Sequence, residues 1–376
     1  MPTRHAPIPP SPAPREREHN PALLPPLPPS AGEGRGGGTL DIAVLLLPRF
    51  SLMALASVLE PFRIANRLAG KELYRWRFVG TEAGPIQASS GLPITTELSV
   101  RDPLTARRVI VCTSFEPMAA ASRAVLAWLR RLDAAGAELW AVDTGAFLLA
   151  EAGLLAGRTV TLHWESIAAF AELYRKIETR RSLFERSGRV ATCAGGTAGI
   201  DLALTAIAAE HGSSLALDIA DQLIHQGIRD AHASQQVAPM RRYGTRNPTV
   251  LAAIDLLQRS IEQPPSLAQA AAALHVSPRQ LQRLFATHLG TSFKRFDRML
   301  RLERARELLE QTSLSVLAVA VATGFGSVEH FSRSYRAAFV SSPGHSRRAA
   351  GQRIPTSMRL CREYASLPDK SKLTNL

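Results

Sequence analysis

The 376 residues are 45% hydrophobic, enough for two or three ordinary globular cores, and no run approaches the roughly 20 apolar residues that a membrane span needs. The N-terminus interleaves Pro, Arg and Glu where a secretory leader would be apolar, so the expected compartment is cytoplasmic, with no membrane partner. Three scattered cysteines, Cys112, Cys193 and Cys361, offer neither a disulfide framework nor a zinc-ligand spacing, and neither metal nor cofactor is expected.

The net charge of +13 is unevenly placed: residues 39–232 balance 20 basic against 20 acidic side chains, whereas residues 233–376 carry 21 against nine. A basic excess confined to the last third is an electrostatic footprint for a polyanion, nucleic acid first.

In chain order, residues 1–38 hold 11 of the 25 prolines and end in a glycine run, a composition that buries little apolar surface and reads as extended or disordered. From Leu40 the texture becomes short apolar runs alternating with helical patterns. Asp41–Leu47, Tyr74–Gly80, Arg108–Cys112, Leu139–Val142 and Arg189–Thr192 read as strands, and Ser51–Leu68, Ala119–Ala135, a segment from about Phe147, and Ala198–Glu210 as helices. That alternation predicts parallel βαβ units, an open α/β sheet over residues 39–231, with ligands bound beyond the carboxyl ends of its strands. Residues 232–248 lack periodicity and read as a linker, residues 249–348 as all-helical, and residues 349–376 as a basic tail.

The helical part contains two units of one design, Ser266–Gly290 and Ser315–Phe339. Each has a short Ala/Val/Leu-rich helix, a turn of three or four residues and an amphipathic second helix, which is helix-turn-helix grammar. Ser277 and Ser327 stand fifty positions apart at the predicted N-caps of the second helices. Leu281, Leu284 and Phe285 turn inward in the first, leaving Arg279, Gln280, Gln282 and Arg283 outside; Phe331 and Tyr335 anchor the second, leaving Glu329, His330, Arg333 and Arg336 outside. Arg and Gln are the side chains that contact guanine and adenine edges in pairs, so these ten residues are the candidate DNA contacts. A structural alternative, a solvated basic bundle, leaves the duplication and the +12 charge of this third of the chain unexplained.

The string Val276–Phe285 (VSPRQLQRLF), followed by Arg301–Leu309 and Gly324-Phe325-Gly326-Ser327, resembles the AraC/XylS-type DNA-binding domain over roughly residues 249–348. The resemblance implies that Arg283 and Arg333 approach DNA. Two departures stand out: Phe339-Val340-Ser341 where the family has Phe-Gly, and Pro343–Arg347 without the usual aromatic before Arg.

Residues 40–232 resemble the amidotransferase-like PfpI/ThiJ domain that precedes such a DNA-binding domain in one group of bacterial regulators. The carrying strings are Phe50–Asn66, Asp143–Leu155, Thr161–Glu165 and Thr192–Asp201, and the first of them, with Leu73–Trp76, is similar to regulators of carnitine, glycine betaine and arginine metabolism. The resemblance implies a class I glutamine-amidotransferase-like sheet with a strand-to-helix elbow that carries the cysteine nucleophile in the enzymes. Here Asp143 holds the elbow position, so no catalytic residue is expected.

What remains is a ligand pocket of Glu60, Asp143, Thr144, His163 and Trp164: carboxylates and an aromatic face, suited to a quaternary ammonium or guanidinium group. Each residue also has a structural reading: Glu60 pairing with Arg63, Asp143 bonding the turn, His163 and Trp164 in the core. The expectation is a ligand-responsive, DNA-binding homodimer with a catalytically silent sensor. Two alternatives are a DNA-tethered hydrolase using Glu60, Asp143 and His163, and a purely structural dimerisation domain.

Overall fold

The computed structural model describes residues 38–236, 239–312 and 314–349. The proline-rich segment and most of the basic tail therefore lie outside the described residues.

The α/β part opens with β1 (Leu40–Leu46), α1 (Leu52–Ala69) and β2 (Tyr74–Gly80), then a hairpin of β3 (Gly84–Gln87) and β4 (Pro93–Thr96), the short β5 (Leu98–Ser99) and β6 (Arg108–Thr113). A 3-10 turn (Pro117–Ala120) precedes α2 (Arg123–Ala134), β7 (Glu138–Asp143), α3 (Ala146–Glu151), β8 (Thr159–Val160), α4 (Ile167–Leu173), β9 (Glu178–Thr179), β10 (Phe184–Ser187), β11 (Val190–Cys193), α5 (Ala198–His211) and α6 (Ser213–Gln222). The main sheet runs β10-β11-β7-β6-β1-β2-β5, parallel except for the β10–β11 pair. This is the mostly parallel α/β sheet that the alternation predicted.

Continuous apolar runs suit these strands because both faces are covered. Ala43, Leu45, Val109, Val111, Leu139 and Ala141 face a core shared with α2, α3 and α4. Their neighbours Ile42, Val44, Leu46, Ile110, Cys112, Trp140 and Val142 face the core beneath α1, α5 and α6. At the amino ends of the strands, Arg108 is fully buried: Nε and Nη2 donate to Glu138 (2.9 and 2.8 Å), and Glu210 is also bound by the Tyr74 hydroxyl (2.6 Å). A buried guanidinium needs such partners.

The sequence reading left β3–β5, β8–β10, α4 and α6 unassigned, and it ran one helix from Ala119 where Ser122 instead caps α2 at Arg123. The residues expected to be an aperiodic linker contain a helical turn, α7 (Pro239–Arg242), and the start of α8 (Pro248–Arg259), which Asn247 caps.

Beyond α8 come α9 (Leu267–Ala273), α10 (Pro278–Leu289), α11 (Phe293–Gln311), α12 (Val316–Ala322), α13 (Val328–Phe339) and α14 (Pro343–Ala349). Serine caps set these boundaries: Ser266, Ser277, Ser292, Ser315 and Ser327 each accept a backbone N–H three residues on. The N-terminal half of α11 (Phe293, Phe296, Leu300) sits in the core of α8–α10, while its C-terminal half (Leu302, Ala305, Leu308, Leu309) sits in the core of α12 and α13. That second core is continuous with the α2–α4 side of the sheet, where α11 packs on α4.

Helix α10 ends on Gly290 in the left-handed conformation (φ +64), and fifty positions later α13 ends the same way on Val340 (φ +54), 93% exposed. A β-branched residue there is strained by about 1 kcal/mol relative to glycine. Val340→Gly is expected to raise stability by about 1 kcal/mol in urea denaturation, and Gly290→Val to lower it by at least that much. An unchanged midpoint for Val340→Gly would mean that the α13 terminus carries no strain.

Candidate ligand site and nucleic-acid interface

The elbow forms where β7 runs out. Asp143 is its last residue, buried and left-handed (φ +62), and the chain turns at once into α3. The turn is tight because Gly145 has no side chain: a Cβ there would stand 2.7 Å from the Val111 carbonyl. Gly195 (φ +78) crosses so closely that its Cβ would lie 2.9 Å from that of Asp143. Of the two glycines after β11, Gly195 thus makes room for the elbow, while a Cβ on Gly196 (φ +56) would meet nothing and that glycine serves the turn alone. Thr144 is spoken for, its hydroxyl donating to the Ser114 carbonyl at 2.6 Å.

Burial pushes the Asp143 carboxyl up to about 7; a hydrogen bond with Ser114 opposes the shift and the charge of Glu165 adds to it. His163, whose backbone N–H donates to the Asp143 carbonyl at 3.3 Å, is pushed down to about 4 by burial and stays neutral at physiological pH. Its ring stands beside Trp164 (5.6 Å between centroids), and its Nδ1 is 3.8 Å from Glu165.

Of the expected pocket residues, the structure brings Asp143, Thr144, His163 and Trp164 to one end of the sheet. Glu60 takes its structural reading: half-exposed on α1, it accepts from Arg63 Nε at 2.8 Å, and the carboxylate that acts on Asp143 is Glu165. Glu165, which directly follows the His163-Trp164 pair, is not among the residues expected from sequence; its place in the string Thr161–Glu165 is the signal that marks it. Burial and Glu310 raise the Glu165 carboxyl, while Arg242 and Arg306 oppose the rise. Three of those neighbours belong to α7 and α11, so this loop is where the α/β part meets the helical part.

Neither described cysteine is placed for thiolate chemistry. Cys112 and Cys193 are buried; burial raises both thiols, that of Cys193 to about 12.

On the helical part, Ser277, Arg279, Gln280 and Arg283 of the first motif and Ser327, Glu329, His330, Arg333 and Arg336 of the second are exposed. Gln282, expected on the outer face, is half-buried, and so is Leu284. Leu281 and Phe285 of α10, and Phe331 and Tyr335 of α13, are fully buried and fix the rotation of each helix about its axis. The Ser277 and Ser327 hydroxyls accept from the backbone N–H of Gln280 (3.1 Å) and His330 (3.2 Å), so both act as caps. Between the motifs, the 19 residues of α11 span about 28 Å, and Arg301, paired with Asp297 one turn earlier on the same helix (3.0 Å), ties α11 to the second motif by a hydrogen bond to the Gly324 carbonyl (3.0 Å) and stacking over Phe325 (4.7 Å).

The chain is similar to several known proteins. A family model described as a helix-turn-helix domain matches residues 270–349. The HTH-type transcriptional regulator CdhR of Pseudomonas aeruginosa is 42% identical over 317 residues, 84% of this chain and 94% of that protein. A solved transcriptional regulator with an AraC-type DNA-binding domain, from Chromobacterium violaceum, is 41% identical over 28% of this chain and 96% of its own (TM-score 0.28). A ThiJ/PfpI family protein from Pseudomonas syringae aligns at 19% identity over 75% of this chain and 98% of its own (TM-score 0.46).

Proposed function

The chain belongs to the family of HTH-type transcriptional regulators with an AraC-type DNA-binding domain, and from that premise we propose that its α/β domain is a sensor for a small cation, a quaternary amine or a basic amino acid, with no catalytic role. One observation carries the proposal. A buried carboxyl on a strained backbone, Asp143, holds the loop of His163 by its carbonyl, and that loop supplies a second carboxylate, Glu165, whose charge acts on Asp143, and a half-buried indole, Trp164. A cation between them would hold both carboxylates ionised and lie against an aromatic face. Both buried thiols, Cys112 and Cys193, stay protonated at neutral pH, which supports sensing over acyl transfer.

The division of labour follows the change of fold. The α/β domain binds the effector, the segment from about 232 to 248 transmits, and the two motifs bind double-stranded DNA through the exposed residues of α10 and α13. Two chains acting together on paired half-sites complete the reading, and sedimentation with operator DNA tests it.

The effector test is a thermal shift of the full chain against carnitine, glycine betaine, choline and arginine. A ligand at hundredfold excess over its Kd adds about 2.7 kcal/mol of stability, and Asp143→Ala and Glu165→Gln should abolish the shift while Glu60→Ala retains it. No shift across the panel would remove the cationic effector and leave the DNA-binding function standing.

A further inference from the structure

The indole offered to the effector already has a cation on it. The Arg242 guanidinium lies over the Trp164 ring, 5.4 Å from its centroid, and its charge acts on Glu165. Arg242 comes from α7, in the segment that leads into the DNA-binding domain.

The next residue is held by the other domain. The Tyr243 hydroxyl accepts from Gln258 Nε2 of α8 at 3.0 Å, and its ring meets Phe296 of α11 edge-on at 5.7 Å. Two consecutive residues thus grip the two domains, Arg242 the sensor and Tyr243 the core of the first helix-turn-helix motif. Upstream, Gln235 fastens the same segment to the sensor, its Nε2 donating to the Thr161 hydroxyl (3.0 Å) and the Leu162 (3.1 Å) and Ser182 (2.6 Å) carbonyls, just before His163.

We propose that Arg242 is a resident cation, a tethered stand-in that a bound effector displaces from Trp164 and Glu165, releasing the interdomain segment at the residue next to the one the DNA-binding domain holds. The proposal rests on the cationic-effector reading above and adds the competitor, the specificity it imposes and the route to DNA. An effector must carry a delocalised or quaternary cation to replace a guanidinium on an indole; a neutral or anionic metabolite would leave Arg242 in place. Because one positive charge replaces another, the displacement leaves the net charge at the loop unchanged, and what changes is whether the cation is covalently joined to α8. A ligand that favours the released arrangement shifts the population by no more than this difference.

The test uses the full chain, with isothermal titration of tetramethylammonium and of free arginine into the wild type, Arg242→Ala and Arg242→Lys, and hydrogen exchange of residues 239–247. Removing an internal competitor should tighten cation binding about three- to thirtyfold in Arg242→Ala and less in Arg242→Lys, which keeps a charge near the indole. Saturating cation should raise wild-type exchange over residues 239–247 to the level of ligand-free Arg242→Ala. Equal affinities in wild type and Arg242→Ala, or weaker binding in the variant, would overturn the displacement while leaving the cation site intact. No binding of either probe to any of the three proteins would overturn both the displacement and the cationic-effector reading.

Discussion

Asp143→Asn is expected to stabilise the ligand-free protein, by roughly 1–2 kcal/mol at pH 5 and several kcal/mol at pH 8, and to abolish cation binding. The sign follows from the elevated carboxyl. An Asp in the unfolded chain ionises near pH 3.9, whereas Asp143 in the folded protein does so only near 7. Below about pH 4 both states are protonated and the group contributes nothing. Between 4 and 7 the unfolded chain gains ionisation free energy that the folded one does not, so the folded state loses stability as pH rises and has lost the full amount above 7. Asparagine has nearly the same shape and no ionisation, so the difference between variant and wild type isolates this one residue from the depressed carboxyl of Glu210, which acts in the opposite sense at low pH. Urea denaturation from pH 5 to 8 measures it. A difference that does not vary with pH would mean that Asp143 does not titrate in this range. The same linkage makes cation binding to the wild type tighter at pH 8 than at pH 6, because the site must give up its proton to hold a positive charge.

A carboxylate kept where it destabilises the fold was half legible in the sequence. Its place at a strand-to-helix turn followed from Leu139–Val142 and the Asp143-Thr144-Gly145 turn, and both faces of the sheet followed from the continuous apolar runs of β1, β6 and β7. The partner of Asp143 did not follow. Glu60 and Glu165 are equally acidic in a string of letters, and only the loop geometry after β8 decides that Glu165 approaches while Glu60 turns to Arg63, its neighbour one helical turn away. The interdomain segment was hidden for a different reason. The turn of α7 is four residues long, too short for any periodicity, and it is held by Arg242, Tyr243 and Gln235 through contacts distant in sequence. In the DNA-binding domain almost everything was local, caps at Ser277 and Ser327 and a fifty-residue repeat, and that is why it could be read directly. Gln282 and Leu284, expected outside and inside, are both half-buried at the edge between the two faces, where burial depends on the neighbouring helix rather than on the helical period.

The repeat also predicts how DNA affinity divides. Arg283 and Arg333 occupy corresponding exposed positions on α10 and α13, each oriented by two fully buried anchors, Leu281 with Phe285 and Phe331 with Tyr335. If each guanidinium bonds a guanine edge in its half of the site, Arg283→Ala and Arg333→Ala each cost about 1–3 kcal/mol on the cognate operator, about five- to 150-fold in affinity, and little on scrambled DNA. Separate motifs read separate base pairs, so the double variant should lose the sum of the two free energies. Arg279→Ala and Arg336→Ala, at the flanks of the same helices, should instead weaken cognate and scrambled DNA alike and make the slope of log affinity against log salt shallower by about 0.9 for each phosphate contact removed. All four side chains are exposed, so circular dichroism of the variants should match the wild type. Gel-shift titrations at several salt concentrations decide the assignment. Equal losses on cognate and scrambled DNA for Arg283→Ala would move that residue from the bases to the phosphates, and a double variant no weaker than either single one would mean that only one of the two motifs engages the operator.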